Sequence, residues 1–151
     1  MIGKTIDEIS LNETAEFTKT ISESDVYLYA GLTGDLNPAH INEEYAKETF
    51  FKTRIAHGML AASYISALLG TEFPGPGTIY ISQSLTFLRP VYLGDTLEVS
   101  AVVSKFRAEK SILTLETAVK NQNGDLVVSG EAVCLVADVV RSKAQSGAAA
   151  G

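Results

Sequence analysis

Ala15, Phe17, Lys19 and Ile21 share one parity along the chain and predict a first strand that ends at Ser22. Ser22 followed by Asp25 is a capping-box arrangement with Asp in place of Glu, so a helix is expected through Val26–Ala30 to the break at Gly31–Gly34. Asn42 ahead of Glu43 and Glu44 predicts an N-cap with acids in the first turn and a short helix through Lys47. The stretch Asp35–His40 between these helices reads as a loop stiffened by Pro38. From Met59 to Leu69 the chain is apolar on nearly every face, with Gly70 placed as a C′ residue; this predicts a helix buried all round. Thr71–Gly77, rich in Pro and Gly, ends the helical part. Thr78–Leu88, Thr96–Phe106, Ser111–Gln122 and Leu126–Asp138 then read as four strands in an antiparallel meander.

Strands of about ten residues span roughly 33 Å, about twice the length of an eleven-residue helix. A long twisting sheet can therefore curl around the one apolar helix. The expected architecture is α+β, a single hot-dog domain over residues 1–140 in which the antiparallel sheet wraps a central apolar helix. Residues 141–151 have no periodicity and little to bury, and a disordered C-terminal tail is expected there.

At 151 residues and 46% hydrophobic, one domain can bury a substantial core. A net charge of -6 and no basic stripe argue against nucleic acid as a partner. The N-terminus carries Asp7 and Glu8 where a secretory segment would be apolar, and no stretch reaches membrane-spanning length. A cytoplasmic protein with no membrane partner is the expectation. Cys134, the only cysteine, sits among Ala132, Val133, Leu135 and Val136 and reads as a buried, inert thiol. Two histidines without a cysteine cluster speak against a metal site, and no cofactor motif is present.

The candidate chemistry lies in Gly34-Asp35-Leu36-Asn37-Pro38-Ala39-His40 and in Ala56-His57-Gly58-Met59 at the head of the apolar helix. Alone, Asp35 could be a turn or capping residue and His40 a packed histidine. Together they offer a carboxylate and an imidazole, while the Gly58 N–H at a helix start offers a donor and the positive end of the dipole. A general base and an electrophilic cradle are what adding water to an activated double bond requires. Asn37 can shape the loop through local side-chain-to-backbone bonds. His57 reads as a structural residue fixing the helix start, and Gly58 has a lesser reading as a plain helix-start glycine, two purposes the same glycine could serve. The Ser63 hydroxyl either bonds back to a carbonyl one turn earlier or supports the Asp35–His40 pair. Lys52, Arg54, Arg89 and Arg107 are equal candidates for a phosphate contact.

These two motifs, with Tyr80-Ile81-Ser82-Gln83-Ser84-Leu85-Thr86-Phe87 downstream, resemble the MaoC-like (R)-specific enoyl-CoA hydratases, and the resemblance covers roughly Ile21 to Val136. It implies that Asp35 and His40 hold one water that adds to the β-carbon of a trans-2-enoyl thioester, giving an (R)-3-hydroxyacyl-CoA. It further implies an acyl-CoA substrate, a place in fatty acid metabolism or polyhydroxyalkanoate biosynthesis, and a homodimer or higher homo-oligomer with the site at the interface. Two other functions use the same scaffold: dehydration of 3-hydroxyacyl chains on acyl-carrier protein, and noncatalytic acyl-CoA binding.

Overall fold

The computed structural model of the protein describes residues 3–136 and residue 147. Strand β1 (Thr14–Thr20) leads into helices α1 (Glu23–Thr33), α2 (Pro38–Ile41), α3 (Glu43–Lys47) and α4 (Gly58–Ala67). The strands β2 (Ile79–Gln83), β3 (Thr86–Phe87), β4 (Thr96–Arg107), β5 (Ile112–Lys120) and β6 (Leu126–Leu135) follow. All strands join one antiparallel sheet in the order β1-β4-β5-β6-β2, with β3 also against β6. Helix α4 packs on β4, β5 and β6 in the middle of that sheet, the hot-dog layout expected from the pattern.

Alternation along the strands builds the core. Leu97, Val99, Ala101 and Val103 of β4 and Leu113, Leu115 and Val119 of β5 turn inward and are fully buried. Against them lie Ala61 and Ile65 of α4 and then Leu68 and Leu69, at most 1% exposed. Burying each of the larger side chains contributes about 1.5–3 kcal/mol. Ser22 caps α1: its Oγ accepts from the Asp25 amide at 3.1 Å, and its own amide donates to Asp25 Oδ2 at 2.9 Å. That amide and the Lys19 ammonium at 3.0 Å hold the Asp25 carboxyl below the usual carboxylate range. Gly34, at φ 78° in the left-handed region, ends α1 and turns the chain into Asp35.

Four local expectations are corrected. Pro38–Ile41 is a helical turn rather than a loop, because Asn37 Oδ1 caps the Ala39 amide at 3.1 Å and Pro38 takes the first helical position. Helix α4 runs on as a π-helical turn over Leu68–Glu72, so Gly70 lies inside that turn instead of ending the helix. Nor is α4 buried all round: Met59, Ser63, Ser66 and Ala67 are exposed along one face beside β2.

The expected strand 78–88 is broken at Ser84 and Leu85. There Ser84 Oγ accepts from the Glu131 amide at 2.9 Å, a side chain standing in for ladder pairing. The Ser84 carbonyl presses so close to Gly130 that a Cβ there would sit 1.8 Å from it. Both halves pair with β6 rather than β4, so only β4, β5 and β6 form a meander. The last strand is described to Leu135; its expected end at Asp138 and the predicted tail over 141–151, Gly147 aside, lie outside the described residues.

Candidate active site

Three secondary-structure ends meet at the head of α4. Gly34 delivers Asp35, Asn37 caps the turn that carries His40, and His57 is the N-cap residue of α4 with Gly58 the first residue inside it. A carboxylate oxygen of Asp35 and one ring nitrogen each from His40 and His57 lie within 4.8 Å of one another. Asp35 is exposed, whereas His40 and His57 are buried. The Asp35 carboxylate also accepts from the Asn37 amide at 3.3 Å, the local bond expected of an Asp that shapes its own turn.

Hydrogen bonds decide the protons on both imidazoles. His40 Nδ1 lies 2.7 Å from the Ile55 carbonyl, which can only accept, so Nδ1 carries the hydrogen and Nε2 presents a lone pair. Burial holds His40 below its ordinary value of 6.5; the Ile55 carbonyl and Asp35 pull the other way, and His57 adds to the lowering. His40 is therefore neutral near pH 7, an acceptor at Nε2. His57 Nε2 is 3.0 Å from the Asp35 main-chain carbonyl and must donate to it. The two rings stack with centroids 3.9 Å apart and planes at 34°. Each ring thus commits one nitrogen to a main-chain carbonyl and keeps the other, Nε2 of His40 and Nδ1 of His57, free of that bond.

At the start of α4 the Gly58 and Met59 amides take no partner among the described residues, while Leu60 and Ala61 turn back to the His57 carbonyl. Gly58 borders a cleft of about 320 Å³ that His40, Phe51, Phe87, Arg89 and Val91 also line. A smaller recess of about 240 Å³, shared by Asp35, His40, His57, Gly58, Met59 and Phe87, adjoins it. The absence of a side chain at Gly58 has a local cause: a Cβ there would stand 2.9 and 3.0 Å from two carbons of the Phe87 ring.

Asp35, His40, Gly58 and, through its cap, Asn37 are thus brought together. Ser63 is not. Its hydroxyl donates to the Met59 carbonyl at 2.6 Å and borders a separate cleft of about 360 Å³ with Ser66, Tyr80, Ile81 and Leu85. Of the four candidate phosphate ligands, Arg54 pairs with Glu43 at 3.1 Å and Glu23 at 3.3 Å, and Arg107 pairs with Glu109. Arg89 and Lys52 form no ion pair among the described residues, and of these two Arg89 lines the cleft beside His40. Cys134 is fully buried, its thiol pushed up to about 11 by burial.

Sequence reasoning gave Phe87 no role and kept His57 at the helix start. The contact of His57 with Asp35 spans 22 positions, and no local pattern encodes it.

Residues 8–124 match the MaoC like domain. The chain belongs to that family. Across 130 residues, 86% of this chain and 90% of the relative, it is 52% identical to an (R)-specific enoyl-CoA hydratase of Rhodospirillum rubrum. Its fold superposes on the R-hydratase PhaJ1 from Pseudomonas aeruginosa with a TM-score of 0.86 and 45% identity, covering 89% of this chain and 86% of that one. The (R)-hydratase from Aeromonas caviae involved in PHA biosynthesis matches with a TM-score of 0.83 and 40% identity, covering 85% and 97%. Among the described residues of this MaoC-like chain no helix is long and apolar enough to cross a membrane.

Proposed function

We propose that this chain is a hydro-lyase that adds water to trans-2-enoyl-CoA and gives the (R)-3-hydroxyacyl-CoA. One observation carries the residue-level reading: the Asp35 carboxylate and the ring of a His40 whose Nε2 holds a lone pair sit together beside the unpaired amides that open α4. The hydratases it resembles across most of its length support the substrate class.

Water lies between Asp35 and His40 Nε2, donating one hydrogen to each. Its oxygen attacks Cβ as Asp35 takes one proton, and the displaced π electrons run through Cα onto the thioester oxygen. The Gly58 N–H, at the positive end of α4, meets that charge. The proton held on Asp35 then passes to Cα, so the O–H and C–H bonds of the product account for both hydrogens of the water. Dehydration of a 3-hydroxyacyl thioester runs through the same groups in reverse. A noncatalytic acyl-CoA binder would have no use for a base and an acceptor converging on one water.

Arg89, lining the cleft and without an ion pair among the described residues, is the cation we assign to a CoA phosphate. We extend the reading to a cytoplasmic homodimer that supplies (R)-3-hydroxyacyl units to polyester synthesis. The apolar side chains of Met59 at the head of α4, Ile79 and Ile81 on β2, and Phe87 and Leu88 at β3 are 49–55% exposed, a surface that suits a second copy.

Purified protein incubated with crotonyl-CoA should bleach the enoyl-thioester absorbance, and an (R)-specific 3-hydroxyacyl-CoA dehydrogenase should consume the product. Quantitative consumption by the (S)-specific enzyme instead would remove the assignment.

A further inference from the structure

His57 is the residue the hydration chemistry leaves unused, although it touches every part of the machinery. It is 2% exposed, and no side chain caps α4 in its place. Its Nε2–H donates to the main-chain carbonyl of Asp35 at 3.0 Å. One face of its ring lies against His40 at 3.9 Å between centroids, and the Tyr29 ring packs on it at 4.9 Å and 57°. Its own peptide bond leads directly into Gly58. With Nε2 donating, Nδ1 is left as a buried acceptor without a partner. Native proteins seldom leave a buried side-chain nitrogen unpaired. A helix-start residue with only packing to do has no need of an imidazole there, since Phe or Leu would fill the space without orphaning a nitrogen.

Resting on the hydratase reading above, we propose that His57 is a positioning residue: its Nε2–H ties the Asp35 backbone to the head of α4 and fixes the base relative to the Gly58 amide and the His40 ring. Among the described residues it is the one hydrogen bond that joins the 34–37 turn to the head of α4. Among the described residues the other hydrogen bonds of Asp35 go to its neighbours Thr33 and Asn37, so the Asp35 carboxylate inherits whatever freedom the 34–37 turn has. Release of the carbonyl would let the carboxylate drift on a scale that costs an enzyme heavily, since about 1 Å of misplacement can lower turnover on the order of 10²-fold. The groups facing His57 from the elements around it are Asp35 after α1, His40 on α2 and Tyr29 on α1.

Two substitutions separate the donor from the ring. His57→Phe keeps an aromatic face and loses the N–H; His57→Gln loses the ring and keeps an N–H donor the same number of bonds from Cβ. Against crotonyl-CoA, His57→Phe should lower kcat by about 10-fold or more with KM changed by less than about threefold, and His57→Gln should recover most of that loss. Equal kcat for folded His57→Phe and wild type, or equal losses in the two variants, would overturn the proposal. A spectroscopic reading covers the case in which His57→Phe does not fold. The chain has only two histidines, so ¹⁵N-histidine-labelled wild-type protein gives two ring systems, assigned with His57→Gln. At pH 7.5 one should be an Nδ1–H tautomer, from His40, and the other an Nε2–H tautomer, from His57. A neutral Nδ1–H tautomer at His57, which leaves no hydrogen on Nε2, would refute the tie to Asp35 whatever the enzyme does. Failure of wild-type protein to hydrate crotonyl-CoA would instead strike the functional reading, and the tautomers would still report on the bond.

Discussion

Gly58→Ala isolates the electrophilic half of the site, because the methyl it adds has a known neighbour. Built on the backbone, that Cβ stands 2.9 and 3.0 Å from two carbons of the Phe87 ring, where comfortable carbon contacts are about 3.5–4.0 Å. Relief requires a movement of roughly 0.5–1 Å shared between the head of α4 and the ring. Phe87 is 49% exposed and can give part of the way, but it lines the same cleft as Gly58 and His40, so either movement disturbs the space for the thioester. A displacement on that scale costs on the order of 10²-fold in turnover, about 2.7 kcal/mol of transition-state stabilisation. KM should move far less, because the amide matters most for charge that develops only during reaction. The assay is a double-mutant cycle on crotonyl-CoA hydration with Gly58→Ala, Phe87→Ala and the pair, each checked by thermal melting. Truncating the ring removes the three atoms nearest the added methyl, and the double variant should be faster than the sum of the single losses allows. A folded Gly58→Ala enzyme with wild-type kcat would refute the placement of the oxyanion at this amide.

The lowered pKa of His40 makes two pH statements. Hydration needs the neutral ring, so the acid limb of kcat/KM should be centred below 6.5; a limb centred above that ordinary value would contradict the burial argument. Stability follows the same sign: the unfolded chain takes up the proton first as pH falls. The contribution from burying neutral His40 is thus present above 6.5 and lost as pH drops through the folded-state value, seen as a declining melting temperature. Ser63→Ala removes a hydroxyl bonded within its own helix and away from the Asp35 recess, so kcat on crotonyl-CoA should stay within about twofold of wild type. A hundredfold loss there would place Ser63 in the mechanism after all.

What the sequence made legible was local or periodic. The Ser22–Asp25 box and the Asn42 cap are spelled out within four residues, and strand alternation from β4 to β6 encodes the inward faces directly. The Asp35–His40 pair was legible because both belong to one short motif. The misreadings come from contacts between distant segments. Gly130 alone admits the Ser84 carbonyl, and nothing near Ser84 says that its strand breaks to meet β6. An apolar helix reads as buried all round whether its outer face meets the chain's own strands or stands open beside β2, as Met59 does at 51% exposure. The helical turn at Pro38 did carry a signal, Asn as cap before Pro at the first position, which the loop reading passed over. His57 gives no such signal, for its partner lies across the fold.

The claim on which everything else rests is that Asp35 takes the proton from water. Asp35→Asn keeps the shape and the local bond to the Asn37 amide but cannot accept that proton. The deciding measurement is the initial rate of crotonyl-CoA hydration by folded Asp35→Asn protein at saturating substrate. The account predicts a fall of about 10²-fold or more against wild type, with substrate binding little changed. Near-normal turnover would contradict it and return Asp35 to the role of a turn residue.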